Sequence, residues 1–245
     1  MTFDAVLYTV YVASMAAGAL LFVSWSRDPK GLPQWEYIVA AFIPVWSGLA
    51  YLAMGLGLGM AEVDGHTVYW ARYADWVVTT PLLLAALWMT ATTGVRKSKR
   101  APTLVTLVAA DIVMILCGLV ADLSESDAAR FTFYAIGVAA LGVVFSTVWG
   151  PLRRIAGDGG PEIGRIYKTV ATYLTIFWIG YPLTWILGPS GLGLVPQSVD
   201  TALFVLLPIL SKVGYGALNL SLLRAHLGRR GSSQRTRRSP PVPAV

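Results

Sequence analysis

Lys212 stands near the middle of LFVLLPILSKVGYGALNLSLL, residues 203–223, a run that is otherwise almost entirely apolar. A run of that length reads as a membrane-spanning helix, and an unpaired ammonium at mid-bilayer costs roughly 2.5–3.5 kcal/mol on insertion scales. The charge must be neutralised, paired or converted chemically. Arg72, Asp75 and Asp111 also lie inside apolar runs, and Asp200 lies near the outer end of the last one. Arg72, Asp75 and Thr79 follow i, i+3, i+7 spacing, so a helix sets a cation, a carboxylate and a hydroxyl on one face. Two chemistries are open to Asp75 and Lys212. One is a buried ion pair joining two helices. The other is an imine, since lysine amines condense with carbonyl compounds and a carboxylate then balances the iminium.

Large rings favour the second chemistry. In TIFWIGYPLTWILG, residues 175–188, the residues Trp178, Tyr181, Pro182 and Trp185 recur on one helical face. Trp76, beside Asp75, supplies a second wall. A long conjugated ligand joined to a lysine suits this set. Aromatic stripes also serve as core or as interfacial belt; Trp185 alone fits a belt, whereas Trp178 lies too deep for one.

The elements that carry these residues follow from composition. The chain has 245 residues, 56% hydrophobic and 13% charged, against about 25% charged in a soluble domain. Seven apolar runs, about 4–25, 36–58, 67–92, 102–121, 131–150, 166–187 and 199–223, are each long enough to cross a membrane. The connections 26–35, 93–101 and 151–165 carry the basic residues, among them Arg96, Lys97, Lys99, Arg100, Arg153, Arg154 and Arg165, and the tail carries more. The alternate connections, 59–66, 122–130 and 188–198, hold Arg130 as their one basic residue. Positive charge stays cytoplasmic. The expectation is an all-α, seven-transmembrane-helix bundle with its N-terminus extracellular and its C-terminus cytoplasmic.

That placement also accounts for the net charge of +6 without nucleic acid as a partner. Residues 1–225 read as the membrane domain. Residues 226–245, with RRGSSQRTRRSPPVPAV at their end, read as a basic, proline-rich, disordered cytoplasmic tail. The lone Cys117 has no intrachain disulfide partner, and His66 and His226 lie in a connection and the tail with no companion ligands, so no metal site is expected.

YWARYADWVVTTPLLL at 69–84, VWSGLAYLAMGLG at 45–57, the helix-six aromatics and LLPILSKVGYG at 206–216 together resemble the microbial rhodopsins. The resemblance spans all seven runs and leaves out the tail. It implies a multi-pass protein of the cell membrane, not an enzyme, that carries all-trans retinal as a protonated Schiff base on Lys212, with photoisomerisation driving proton movement. By position, Asp75 matches the counter-ion and proton acceptor, and Arg72 the arginine on its extracellular side, with which Asp75 is expected to pair. Trp76, Thr79, Thr80, Met114 and Gly118 match retinal-pocket positions, as do Trp178, Tyr181, Pro182 and Trp185. Tyr134 stands where many relatives have tryptophan, and Ser211 precedes the lysine where alanine or threonine is common. Asp111 matches a carboxylic acid near the ring end of retinal; with no cation beside it, it is expected to be protonated.

The departures from the family pattern bear on subtype. Pro208 stands one turn before Lys212, where outward pumps and many sensors have a second aspartate, and in this it resembles the xenorhodopsins, which include inward proton pumps and a sensor. Ala86 occupies the cytoplasmic proton-donor site of outward pumps. Asn219 stands where several relatives have an acidic acceptor, and Ala40 where some inward pumps have a histidine. Asp200 matches one acidic site of the outer release region, but Ser190 stands at the other. The resemblance therefore implies an inward light-driven proton pump first. A sensory photoreceptor is second, its transducer docking on helices six and seven, although Leu206 replaces a tyrosine used in some such contacts. A slow outward pump using Asp75 and Asp200 is third. A homo-oligomer in the lipid bilayer is compatible with each.

Overall fold

In hydrocarbon no water is present to bond the backbone, so an apolar run becomes a helix, which closes its N–H and C=O groups within one segment. A computed structural model of the chain describes residues 3–63, 65–95 and 101–238, with side chains as far as residue 230. Arg96, Lys97, Lys99 and Arg100 lie outside the described residues. Helices α1 (Phe3–Ser26), α2 (Gln34–Gly55), α3 (Trp70–Ala91) and α4 (Ala101–Asp122) form the first four spans. The fifth is α5 (Asp127–Thr147), a π-helical turn (Val148–Leu152) and α6 (Arg153–Asp158). The sixth is α7 (Pro161–Leu187), and the seventh is α8 (Gln197–Pro208), a second π-helical turn (Ile209–Gly214) and α9 (Tyr215–Arg238). All seven are long and apolar enough to cross a membrane. The first four spans pack in sequence, and α8 of the seventh returns against α1 to close the bundle.

Polarity is arranged for a lipid surround. Leu20, Ile38, Leu49, Val105 and Ile176 are each more than half exposed, whereas Ser47, Arg72, Asp75, Asp111 and Lys212 are buried. Several expected boundaries shift for one reason: charge ends an apolar run without ending a helix. Arg153 and Arg154 lie on α6 and Arg165 on α7, so the expected connection at 151–165 shrinks to a break at Gly159–Gly160. The boundary expected at 225–226 falls inside α9, where His226 is buried and pairs with Glu162 at 3.3 Å. Residues 239–245 of the expected tail lie outside the described residues.

The all-α expectation needs one amendment. Strands β1 (Ala61–Val63) and β2 (His66–Val68) pair antiparallel between α2 and α3, in the register Glu62↔Thr67. Residues 67–69, expected to open the third helix, belong instead to the end of this hairpin and the link to α3. Gly65, at φ 76°, adopts the left-handed turn that such a hairpin requires.

One proline precedes the irregular turn of the seventh span. Pro208 has no N–H to donate to the carbonyl of Phe204, four residues earlier. The Tyr51 hydroxyl donates to that carbonyl instead, at 2.6 Å, from α2. Immediately afterwards the helix widens into the Ile209–Gly214 turn, and Tyr173 donates to the Leu210 carbonyl at 3.2 Å. Cross-span tyrosines thus satisfy carbonyls along the segment that carries Lys212. Tyr51→Phe leaves the Phe204 carbonyl buried without its donor and should cost about 1–3 kcal/mol of stability. In a Pro208→Ala background, where the backbone N–H is restored, the cost of Tyr51→Phe should shrink. Equilibrium unfolding of the two single variants and the double variant checks the coupling.

Candidate functional site

Lys212 is held by the π-helical turn and buried, with its Nζ against one oxygen of Asp75. Ser47, from α2, closes a triangle with this pair: its Oγ donates to Asp75 Oδ2 at 2.8 Å and accepts from Lys212 Nζ at 2.7 Å. Because the one Ser47 proton goes to Asp75, the Tyr11 hydroxyl at 2.6 Å is the donor in its contact with Ser47. The one Thr79 hydroxyl proton is shared between the other Asp75 oxygen at 3.2 Å and the Asp75 backbone carbonyl at 2.9 Å. The buried carboxylate is therefore supplied with donors on both oxygens, which is what makes an ion pair tolerable at that depth.

Arg72 does not pair with Asp75. Its Nη1 lies 3.3 Å from Asp200 Oδ2, and its guanidinium sits 4.3 Å from the Tyr69 ring centre and 4.5 Å from that of Phe204. Helical spacing put Arg72 and Asp75 on one face, but the seventh span brings Asp200 to the arginine. Gly188 makes room for that carboxylate, since a Cβ there would lie 2.5 Å from Asp200 Oδ1. Asp111 Oδ2 accepts from Thr80 Oγ1 at 2.7 Å, and its other oxygen has no partner among the described residues. Thr80 also bonds the Trp76 carbonyl at 2.7 Å.

A cavity with about 100 Å³ of free volume lies between α3, α4, α5 and α7. Trp76, Thr80, Met114, Gly118 and Tyr134 line it, together with Trp178, Tyr181, Pro182 and Trp185. Trp76 meets Tyr181 edge-on at 5.3 Å, and Tyr134 stacks on Trp185 at 4.7 Å, so Trp185 belongs to this wall and not to a belt. Thr79, Ser211 and Lys212 are not in the lining; Ser211 reaches it through a 2.8 Å bond to Tyr181. Glycine keeps the wall thin at 118, where a Cβ would press on Tyr73 at 3.2 Å. A polyene needs such a slot, with aromatic walls, few polar groups and a buried amine nearby, so the residues present fit retinal.

Sequence reasoning missed Ser47, Tyr11 and Tyr51 around the ion pair, and Tyr73 and Phe204 in the cavity wall. A serine or tyrosine in an apolar run was the available signal, but periodicity does not say which of them faces a charge. It also missed Glu36, buried at the start of α2, because it stood at the edge of an apolar run.

A retinal-type site in a seven-span bundle defines a class, and the comparisons agree with it. The profile of the family described as bacteriorhodopsin-like proteins matches residues 2–226. The bacteriorhodopsin of Haloterrigena sp. (strain arg-4) is 35% identical over 212 residues, covering 84% of this chain and 82% of that one. The solved thermophilic rhodopsin of Rubrobacter xylanophilus superposes with a TM-score of 0.88 at 34% identity, covering 94% of this chain and 99% of that one. The light-driven proton pump rhodopsin of Coccomyxa subellipsoidea superposes at 0.81 with 28% identity, covering 90% and 97%. The chain belongs to the bacteriorhodopsin-like family of microbial rhodopsins. It is a multi-pass, light-driven membrane protein, not an enzyme, and binds retinal through a Schiff base to a lysine.

Two substitutions test the assignment of that site. Lys212→Ala should abolish the covalent visible chromophore, checked by absorption and by reduction of the purified protein with borohydride. Asp75→Asn removes the negative charge beside the protonated nitrogen, so the protonated form should absorb at longer wavelength. Its retinal-free form should also lose about 3–5 kcal/mol of stability, the usual cost of leaving one buried charge without its partner.

Proposed function

We propose that this chain is a light-driven proton pump that carries protons inward, from the Asp75 side of Lys212 to the side of the basic connections. The observation that supports this most directly is a narrow, largely enclosed cavity of about 10 Å³ beyond Lys212. Lys212, Ala86, Asn219, Tyr215 and Glu36 all line it. Such a volume is about what one water requires. Along α3, Arg72 and Asp75 precede the level of the lysine and Ala86 follows it, so this cavity lies across Lys212 from the Arg72–Asp200 pair.

Lys212 is the attachment point in this reading, with Trp76, Thr80, Met114, Gly118, Tyr134, Trp178, Tyr181, Pro182, Trp185 and Ser211 around the chromophore. Bound retinal supplies photoisomerisation, which re-aims the proton on the Lys212 nitrogen. Asp75, held by Ser47 and Thr79, is the carboxylate on one side. On the other side Ala86, which lines the cavity with Lys212, has no proton to give. Asn219 accepts from Thr90 at 2.8 Å and can bond a water but cannot take up a proton as a carboxylate does. Glu36 is the carboxylate lining that side, and in this reading it receives the proton.

Pro208 supports the same direction, because it leaves Asp75 as the one carboxylate in contact with Lys212 among the described residues. The slow outward pump, as an alternative, draws on the buried Arg72–Asp200 pair, to which Gln197 adds a contact at 3.4 Å. Illumination of cells expressing the protein with added retinal separates the readings. External alkalinisation abolished by a protonophore means inward transport, and acidification means outward transport. No change favours a sensor coupled to a transducer. Glu36→Gln should cut the initial rate of light-driven alkalinisation by at least about tenfold, the lower range for losing a positioned proton-transfer group being about a hundredfold.

A further inference from the structure

The β1–β2 hairpin carries His66 against the end of α4. His66 Nε2 lies 3.6 Å from Asp122 Oδ1, and both side chains are more than nine-tenths buried. Neither of these two atoms has a hydrogen-bond partner among the described residues. The other oxygen of Asp122 accepts a 3.1 Å bond from the Tyr73 hydroxyl. Tyr73 in turn lines the aromatic cavity, its ring centre 5.1 Å from that of Trp76 and its edge against Gly118. A titratable imidazole at the hairpin is thus two contacts from the retinal pocket.

We propose that His66 and Asp122 are positioning residues for that pocket. Protonated His66 holds the Asp122 carboxylate, and Asp122 holds the Tyr73 hydroxyl and so the ring in the cavity wall. The proposal rests on the aromatic cavity as the retinal site and is independent of the direction of transport.

The surroundings favour this control over simple solvation. Asp122 from α4 and Arg130 from α5 are the charged groups that act on His66. Arg130 bonds Asp127 at 3.2 Å and the Ser124 carbonyl at 3.0 Å, while Glu62 on β1 accepts from Thr67 at 2.6 Å. Contact with Asp122 raises the His66 pKa from its ordinary value of 6.5 by more than burial and Arg130 lower it. The sign follows. Below that raised value the imidazolium is present and the pair is intact. As pH rises through it the cation is lost, and Asp122 keeps its bond from Tyr73 without the partner that fixed it.

The test uses the retinal-bound full chain and three variants, His66→Gln, Asp122→Asn and Tyr73→Phe. Each is titrated between about pH 6 and about pH 9, a range around the imidazole value, by visible absorption and by NMR of the imidazole. In the parent, the absorption band should move reversibly in one step whose midpoint lies above 6.5 and coincides with the His66 titration. The step should be absent in His66→Gln and in Asp122→Asn, and the latter should lower the His66 midpoint. Tyr73→Phe should leave the imidazole titrating while the band no longer follows it, an uncoupling that a merely structural pair would not produce. A parent band that does not move over this range overturns the proposal, as does a step that persists in His66→Gln or Tyr73→Phe. If His66→Gln fails to take up retinal, the comparison of parent with Tyr73→Phe decides the matter.

Discussion

A lysine ammonium and an aspartate carboxylate buried in the centre of a seven-helix bundle are the constraint on which the rest of this structure depends. Each charge alone would be expelled or neutralised at that depth, and the two together are tolerated only with their remaining hydrogen-bonding capacity filled. Ser47 bridges both groups, Thr79 supports the second carboxylate oxygen, and Tyr11 supports Ser47. The cluster draws on the first, second, third and seventh spans, so the pair is a product of the whole bundle. It also leaves a carboxylate poised beside the amine that family membership assigns to retinal attachment.

The seventh span shows how the backbone adapts to that task. Pro208 removes a donor one turn before Lys212, and a second carboxylate is absent from the same position. The carbonyl released by the proline is answered by Tyr51, and the following π-helical turn sets Lys212 against Asp75. Irregular turns of this kind cluster at functional sites because they aim a side chain that a regular helix would point elsewhere. One substitution thus has an electrostatic effect and a geometric one, and the two are separable by experiment.

The electrostatics divide along α3. Arg72 is drawn to Asp200 and two aromatic rings, which leaves Asp75 to balance Lys212 alone. Beyond the lysine a small cavity is lined by Ala86, Asn219 and Glu36. In the proposed inward reading, a proton leaving the lysine nitrogen has a well-bonded carboxylate on one side and the cavity lined by Glu36 on the other. The inward reading turns on which of these the re-aimed nitrogen faces.

Seven spans, the buried lysine, its carboxylate partner and the aromatic wall were legible in the sequence, because hydrocarbon imposes helix on any apolar run of sufficient length and makes every intramembrane charge conspicuous. Nine residues named for the pocket do line one cavity: helical spacing put Trp178, Tyr181, Pro182 and Trp185 on one face, Trp76 stood beside Asp75, and the family resemblance supplied Thr80, Met114, Gly118 and Tyr134. What only the tertiary structure decided is which faces meet. Arg72 went to Asp200 instead of Asp75, Ser47 and Tyr11 joined the ion pair, Glu36 came to share a cavity with Lys212, and His66 came to rest on Asp122. None of these follows from periodicity, because spacing places side chains around one helix axis. The rotation and depth of each helix against its neighbours are set by packing across the bundle.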